Sequence, residues 1–407
     1  MAGGRTVLFI SYDGMTDPLG QSQVLPYLTG LAARGHDITI LSAEKKKRFA
    51  AEADAIRRIC AAAGIDWQPI PYHQRPPVLS AIYDAAMLER RAVRLHRRKS
   101  FGILHCRGYV PALVGARLKR RLGTRFLFDM RGFWADERVD GGQWNLRNPL
   151  FAAVYRFFKR RESDWLHSAD HVVSLTEEGK RTLLARPDRR EGDPPVAVIP
   201  CCVDFDHFSV PDAQRRAARS ELGIDAEATV LVYVGSLGGN YLLDEMLGLF
   251  DVLRKRRTGA RFLFVTRHDS AEIRAAAARF GIDADELVIR AAARDEVPRF
   301  TAAADLGVAF KQSSFSAKAC SPTKLGEMLA LGIPVVANAG VGDVEAVLED
   351  SGAGVVVDRF DREAYAEALE ALDRKQFDTA KWQQRARHWF DLDAGVDRYD
   401  SIYRSLA

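Results

Sequence analysis

The opening stretch of the chain limits its fold to one broad class. Thr6-Val-Leu-Phe-Ile-Ser-Tyr12 is a short apolar run with the length and composition of a buried strand. Asp13-Gly-Met-Thr-Asp-Pro-Leu-Gly20 follows as a loop of Gly, Asp and Pro. Val24, Leu28 and Leu31 then recur at helical spacing, Gly35 stops the helix, and Asp37-Ile-Thr-Ile-Leu41 reads as the next strand. Strand, loop, helix and strand within about 35 residues make a βαβ unit, and such units build parallel sheets. The loop follows the carboxyl end of the first strand, where ligands bind in such sheets. Gly14 and Gly20 either let this backbone approach a substrate or serve plain turn chemistry.

The alternation continues along the chain. Ile103–Cys106, Arg125–Asp129, Ala169–Thr176 and Val196–Ile199 read as strands, with a long helix over Pro149–Ser168. Arg186–Pro195 is a charged, Pro-rich surface connection, and a second series of strands begins beyond it. Thr229–Val234, Arg261–Thr266, Glu286–Ile289, Asp305–Ala309, Ile333–Ala337 and Gly354–Val357 form a second parallel sheet, and helices follow Asp361. A chain of 407 residues is too long for one core, since domains run to about 100–200 residues. The expectation is an α/β protein of at least two parallel-sheet domains.

Composition excludes several classes. No run approaches the ~20 apolar residues of a membrane helix, and the segment before Val7 is too short for a signal peptide. The five cysteines, at 60, 106, 201, 202 and 320, lack zinc spacing and pair poorly in number, which implies a reduced, cytoplasmic protein. A net charge of +5 is too modest to argue for nucleic acid.

The stretch Ser321-Pro-Thr-Lys-Leu-Gly-Glu-Met-Leu-Ala-Leu-Gly-Ile-Pro-Val-Val-Ala337 carries the chemistry. Ser321 suits an N-cap and Pro322 the first helical position. Leu325, Met328 and Leu329 give an apolar face, and Gly332 with Pro334 ends the helix. A helix start favours an anion. Ser321 and Thr323 add hydroxyls there, and Lys324 adds a cation that opposes the dipole unless an anion offsets it. Glu327, one turn on, is placed to accept hydrogen bonds from a ribose diol. Phosphate plus ribose means a nucleotide; the bland alternative is an ordinary capped helix packed on a sheet. Gly235-Ser-Leu-Gly-Gly-Asn240 is a second candidate phosphate turn, with Gly235, Ser236, Gly238 and Gly239 as backbone or hydroxyl donors. It holds no Arg or Lys, so positive charge must come from Arg267, Lys311, Lys318 or Lys324.

Two further regions stand out. Asp129 to Trp144 sets Asp129, Arg131, Asp136, Glu137, Arg138 and Asp140 among Phe133, Trp134 and Trp144, the mixture of charge and aromatic faces that sugar binding needs. With Gly14, Gly20 and Arg107, its Trp134, Asp136 and Glu137 are the candidate acceptor-side residues. The helical runs Glu44–Arg48 and Glu89–Lys99 are basic; they read as solvated faces or as a patch for an anionic membrane surface.

These motifs resemble the retaining GT-B glycosyltransferases of family 4, the "glycosyl transferases group 1" type. Glu327 with Leu-Ala-Leu-Gly-Ile-Pro-Val-Val is similar to the second half of their Glu-x7-Glu segment; Ser174 to Lys180 and Ile199–Asp204 also resemble family segments. Ala319 stands in place of the first Glu, Arg131 in place of an acceptor-side His, and Cys202 in place of a Gly. The resemblance implies two Rossmann-like domains facing across a cleft: residues 1–195, with a terminal helix at about 385–407 crossing back, and residues 196–384. It implies a nucleotide-diphosphate sugar donor on the second domain and a saccharide or lipid-linked saccharide acceptor on the first. Transfer would proceed with retention and without metal or other cofactor, in polysaccharide or glycolipid synthesis on the inner membrane face. Lys324, Arg267, Asp129 and Arg131 are the catalytic candidates. A nucleotide-sugar 2-epimerase of the same fold and a non-catalytic nucleotide-sugar-binding relative are the rival readings. A Rossmann oxidoreductase is disfavoured because residues 11–20 lack Gly-x-Gly-x-x-Gly.

Overall fold

The computed structural model describes residues 4–76, 78–375 and 378–406. The reading of the extreme N-terminus as no signal peptide therefore falls partly on residues 1–3, outside the described residues. The chain divides into two compact units, Met1–Pro200 with Leu392–Ala407, and Cys201–Asp391.

The first unit is a seven-stranded sheet of β1 (Thr6–Ser11), β2 (Asp37–Glu44), β3 (Asp66–Pro71), β4 (Ile103–Arg107), β5 (Arg125–Asp129), β6 (His171–Ser174) and β7 (Val196–Val198), in the order β3-β2-β1-β4-β5-β6-β7. Every pairing is parallel. The second unit is a six-stranded sheet of β8 (Val230–Val234), β9 (Arg261–Val265), β10 (Leu287–Arg290), β11 (Leu306–Ala309), β12 (Val335–Asn338) and β13 (Gly354–Val357), in the order β10-β9-β8-β11-β12-β13. It too is wholly parallel. Central strands are buried on both faces, as parallel strands under helices must be: Val7 to Ile10 and Val230 to Tyr233 are all at most 3% exposed.

Three differences from the sequence reading have physical causes. β3 is absent from that reading because Asp-Trp-Gln-Pro-Ile-Pro carries two prolines; it is an edge strand, the position in a sheet where proline is tolerated. β2 runs on to Glu44, which the sequence placed in the following helix; that helix is Lys46–Ala62. The strand after Gly332 begins at Val335, not Ile333, because Pro334 stands just before its pairing with β11.

The terminal helix Leu392–Ser405 belongs to the first unit. It packs on the helix Leu25–Ala33, where Gly30 leaves room for Val396. Arg34 pairs with Asp397 at 2.6 Å, His36 Nε2 meets Asp400 at 2.7 Å, and Tyr403 is fully buried.

Candidate active site

In a doubly wound sheet the ligand crevice opens where the strand order reverses. In the second unit that point lies between β8 and β11. The turn after β8 starts at Gly235, whose φ of +106° suits glycine; a Cβ there would stand 3.8 Å from Lys324 Cε and Nζ. Gly238 and Gly239 also have positive φ. The turn is then pinned to the end of β11. Tyr241 bridges Lys311 in antiparallel fashion, Gln312 N donates to Asn240 O at 2.7 Å, and Lys311 N donates to Asn338 Oδ1 at 2.8 Å.

Lys324 reaches this point from the helix Thr323–Ala330. Its side chain is buried, and Nζ donates to the Tyr233 hydroxyl at 2.6 Å. Nζ also lies 3.5 Å from the Tyr241 ring centroid and 3.9 Å from that of Tyr233. Tyr233 in turn donates to Ser236 O at 2.6 Å, and Lys311 Nζ stands 5.3 Å from the far-reaching Tyr241 ring. Burial, and secondly the Lys311 charge, push the Lys324 ammonium well below the ordinary lysine range. The two lysines face the same Tyr241 ring, and the charge of one disfavours the charge of the other.

The helix start differs from expectation. Pro322, not Ser321, is the N-cap, and no side chain caps the helix. Ser321 is buried and its Oγ accepts from Cys201 N at 3.1 Å, so it fixes the entry of the chain into the second unit and is turned away from capping. Thr323 is the first helical residue and half-buried. Glu327 is buried and accepts from Arg294 Nη1 at 2.5 Å, while the Arg294 guanidinium lies 5.1 Å from the Phe208 ring. The carboxylate is thus held from one side. Of the other cations, Lys318 is exposed on the turn Ser316–Ala319. Arg267 is exposed after β9, where its Nε donates to Ala292 O at 3.3 Å; it belongs to the β9–β10 side, while the lysine pair draws on β8, β11 and the helix. The structure therefore brings together Lys324, Lys311, Gly235 and Ser236.

In the first unit the reversal lies between β1 and β4. The loop after β1 is filled by the chain itself. Glu44, buried at the end of β2, accepts from Met15 N at 2.7 Å, Thr16 N at 3.2 Å, Thr16 Oγ1 at 2.5 Å and Ser42 Oγ at 2.6 Å. A Cβ on Gly14 would fall 2.5 Å from Glu44 Oε2, and one on Gly20 only 2.1 Å from Gly14 O. The close approach that Gly14 and Gly20 permit is internal, which corrects their reading as substrate contacts.

Arg107 and Asp129 end adjacent strands and are both buried. Asp129 Oδ2 lies 3.9 Å from Arg107 Nη1 and 3.4 Å from His105 Nε2, and His105 Nδ1 meets the Tyr403 hydroxyl at 2.7 Å. Among the described residues Asp129 Oδ1 and Arg107 Nε have no hydrogen-bond partner. Burial works to raise the Asp129 carboxyl, but Arg131, His105 and Arg107 hold it below the ordinary range. Burial pushes the His105 imidazole down. Arg131 adopts φ +54°, left-handed and uncommon for a side chain of its size. At 1% exposure Asp129 is enclosed by these neighbours, and its carboxylate braces the cations beside it.

Trp134 and Asp136 have partners within the first unit. Trp134 packs among Tyr109, Trp144 and Phe158, with ring centroids 5.1–5.5 Å away. Asp136 accepts from Tyr155 and Lys159, both at 2.8 Å. Charge between aromatics here fastens the short helix Trp134–Asp140 to the long helix Pro149–Ser168. Glu137 on the same short helix is exposed. The sequence reading missed Tyr233, Tyr241, Arg294, Glu44 and His105. The Tyr241 position closing a lysine-free turn was the one available signal.

Comparison with known proteins bears on the whole chain. Residues 22–207 match the family described as Glycosyltransferase Family 4, and residues 228–374 match Glycosyl transferases group 1. A D-inositol 3-phosphate glycosyltransferase of Segniliparus rotundus is 25% identical over 75% of this chain and 69% of its own. One of Acidothermus cellulolyticus is 25% identical over 84% and 75%. Among solved structures, Anabaena HepE in complex with UDP and glucose superposes with a TM-score of 0.71, at 14% identity over 98% of this chain and 99% of that one. Sucrose-phosphate synthase from Thermosynechococcus elongatus gives 0.70 at 16% identity, over 99% of each chain. Two parallel α/β sheets, a cation seat at the reversal point of the second, and family matches along most of the sequence agree: the chain is a glycosyltransferase of family 4, group 1 type, with the GT-B fold.

Proposed function

We propose that this glycosyltransferase moves a sugar from a nucleotide-diphosphate donor, held by the second unit, to a saccharide or lipid-linked acceptor, with retention of configuration and without a divalent metal. The observation that carries the reading is the buried Lys324 beside Lys311 at the reversal point of the second sheet. A departing diphosphate needs positive charge as the glycosidic bond breaks, and a preorganised cation in a dry site supplies it with little reorganisation. Glu327, oriented by Arg294, takes the ribose diol. Arg107 and Arg131, braced by Asp129, are the polar groups offered on the acceptor side. UDP and glucose accompany Anabaena HepE, a protein of the same fold, which supports a donor of this class. The acceptor's place in polysaccharide or glycolipid synthesis follows from the family resemblance, and the exposed arginines of the helix Leu79–Lys99 give the chain a means to stand at an anionic membrane. Among the described residues no helix is long and apolar enough to cross one.

The test is a thermal-shift panel of nucleoside diphosphates and nucleotide sugars, followed by product analysis with the donor that binds best. Stabilisation by one nucleotide series and a new glycosidic product are expected. An epimerised sugar nucleotide with no glycoside formed, or no stabilisation by any nucleotide, overturns the reading.

A further inference from the structure

The Lys324 ammonium has three N–H donors and, among the described residues, one oxygen acceptor, the Tyr233 hydroxyl. The rest of its surroundings are two aromatic faces, with Nζ 3.5 Å from one centroid and 3.9 Å from the other. This is an arrangement that holds a cation in place while leaving donors unfilled. An aromatic face attracts a cation through its quadrupole, and the attraction is strongest where water is excluded. The Tyr241 backbone is held by its bridge to Lys311, its ring meets that of Tyr233 edge-on at 6.0 Å between centroids, and the Tyr233 hydroxyl is oriented by Ser236 O. The turn that carries these contacts, Gly235 to Tyr241, contains no Arg or Lys.

We propose that Tyr233 and Tyr241 are positioning residues: they form a two-ring seat that fixes Lys324 Nζ with its free N–H groups toward the donor diphosphate, so that one lysine from the helix start serves a turn without cations of its own. This rests on the reading of Lys324 as the diphosphate-binding cation. The groups that face Lys324 are Lys311, whose charge opposes its own, Cys320, and Glu327, which Arg294 holds. Burial and Lys311 both favour the neutral amine, and Cys320 and Glu327 favour the ammonium. The two ring faces and the Tyr233 oxygen also attract a cation at Nζ. Diphosphate affinity then falls as pH rises through the Lys324 transition, and weakening the seat moves that fall to lower pH.

The experiment compares wild type, Tyr241→Leu, Tyr241→Phe, Tyr233→Phe and Lys324→Ala. The probes are uridine, guanosine, adenosine, cytidine and thymidine diphosphates, titrated by calorimetry between pH 6 and 9, with steady-state kinetics on the matching donor. Tyr241→Leu keeps an apolar side chain but removes the face; it is expected to lower kcat about tenfold or more with KM little changed, and to shift the affinity profile to lower pH by about one unit. Tyr241→Phe keeps the face and rescues both. Tyr233→Phe keeps its face and loses the acceptor, so its profile shifts in the same direction. If Lys324→Ala weakens binding and turnover while Tyr241→Leu, folded by circular dichroism, matches wild type in kcat and pH profile, the seat is overturned and the donor reading survives. If Lys324→Ala matches wild type, or none of the five diphosphates binds, the donor reading falls and the seat with it. Equal damage from Tyr241→Leu and Tyr241→Phe also overturns the ring's role.

Discussion

Lys324 and Glu327 share one helix face but are held in opposite ways, and their variants should fail differently. In the proposed function Lys324 meets the diphosphate, whose negative charge grows as the bond to the sugar breaks. Its loss therefore falls on kcat more than on KM. Removing one preorganised donor of this kind typically costs ~100–1,000-fold in rate, and Lys324→Ala should show that in steady-state kinetics with a normal melting curve. Lys324→Arg should rescue poorly, because a broad planar head does not enter a space between two rings shaped for a point charge. Near-normal kcat in Lys324→Ala would place the diphosphate elsewhere. In the proposed function Glu327 meets the ribose, which carries no charge change in the reaction. Glu327→Ala should weaken donor binding by about 2–3 kcal/mol, the scale of charge-assisted hydrogen bonds, with most of the loss in Kd. It also strands Arg294, now paired at 2.5 Å, so Glu327→Gln is the milder control. Unchanged affinity in a folded Glu327→Ala would remove the carboxylate from the ribose site.

The elements differ in how plainly the sequence announces them. Val7–Ile10 and Val230–Val234 are unbroken apolar runs within buried parallel strands, and these were legible because the runs are short and bounded by turn residues. β3 was not legible, since an edge strand tolerates the prolines that elsewhere signal a loop. The anion preference of a helix start pointed to Lys324, but two details depend on tertiary contacts that no local pattern encodes: Ser321 turns to Cys201, and Glu44 returns across the sheet to fill the first loop. The Glu44 contact makes a separable prediction. Its carboxylate satisfies two backbone N–H groups and two hydroxyls in a buried setting, so Glu44→Ala strands them and should cost about 3–4 kcal/mol in denaturant unfolding. A loss below about 1 kcal/mol would mean the loop is held by something else. A second prediction belongs to β4, β5 and the terminal helix, which meet at His105. His105 remains neutral in the fold under conditions that protonate it in the unfolded chain. The unfolded state thus binds the extra proton, and stability falls as pH drops below the ordinary histidine value of about 6.5. Asp129, held low, adds stability above the ordinary carboxylate value that is lost as pH falls further through its folded value. Both slopes have one sign. The melting temperature should fall between pH 7 and pH 5, and less steeply in His105→Asn; an equal fall in that variant would shift the effect to other groups.

At the scale of the whole molecule, a net charge of +5 matters only if it is gathered on one face. The helix Leu79–Lys99 gathers part of it. Arg91 is tied to Gln68, and Lys99 donates to Asp37 at 2.7 Å, so these two are engaged by the protein. Arg90, Arg94, Arg97 and Arg98 are exposed along the same helix, and Leu79, Ile82 and Tyr83 are more than half exposed near its other end. Exposed arginines with exposed apolar side chains on one helix suit a membrane surface: the apolar groups enter the interface and the arginines meet anionic headgroups. Each cation near such a surface contributes about 1 kcal/mol, so four together shift binding by about three orders of magnitude. The full-length chain should co-sediment with vesicles rich in phosphatidylglycerol and not with vesicles of phosphatidylcholine alone. Because the attraction is screened over a Debye length of about 8 Å at physiological ionic strength, binding should fall steeply as salt is raised. Reversal of the four arginines to Glu should abolish it, while turnover on a water-soluble acceptor is kept, since none of the four lies at the reversal point of either sheet. Equal binding to both kinds of vesicle, or binding that survives the charge reversal, would return this helix to an ordinary solvated face and leave the acceptor to be sought among soluble saccharides.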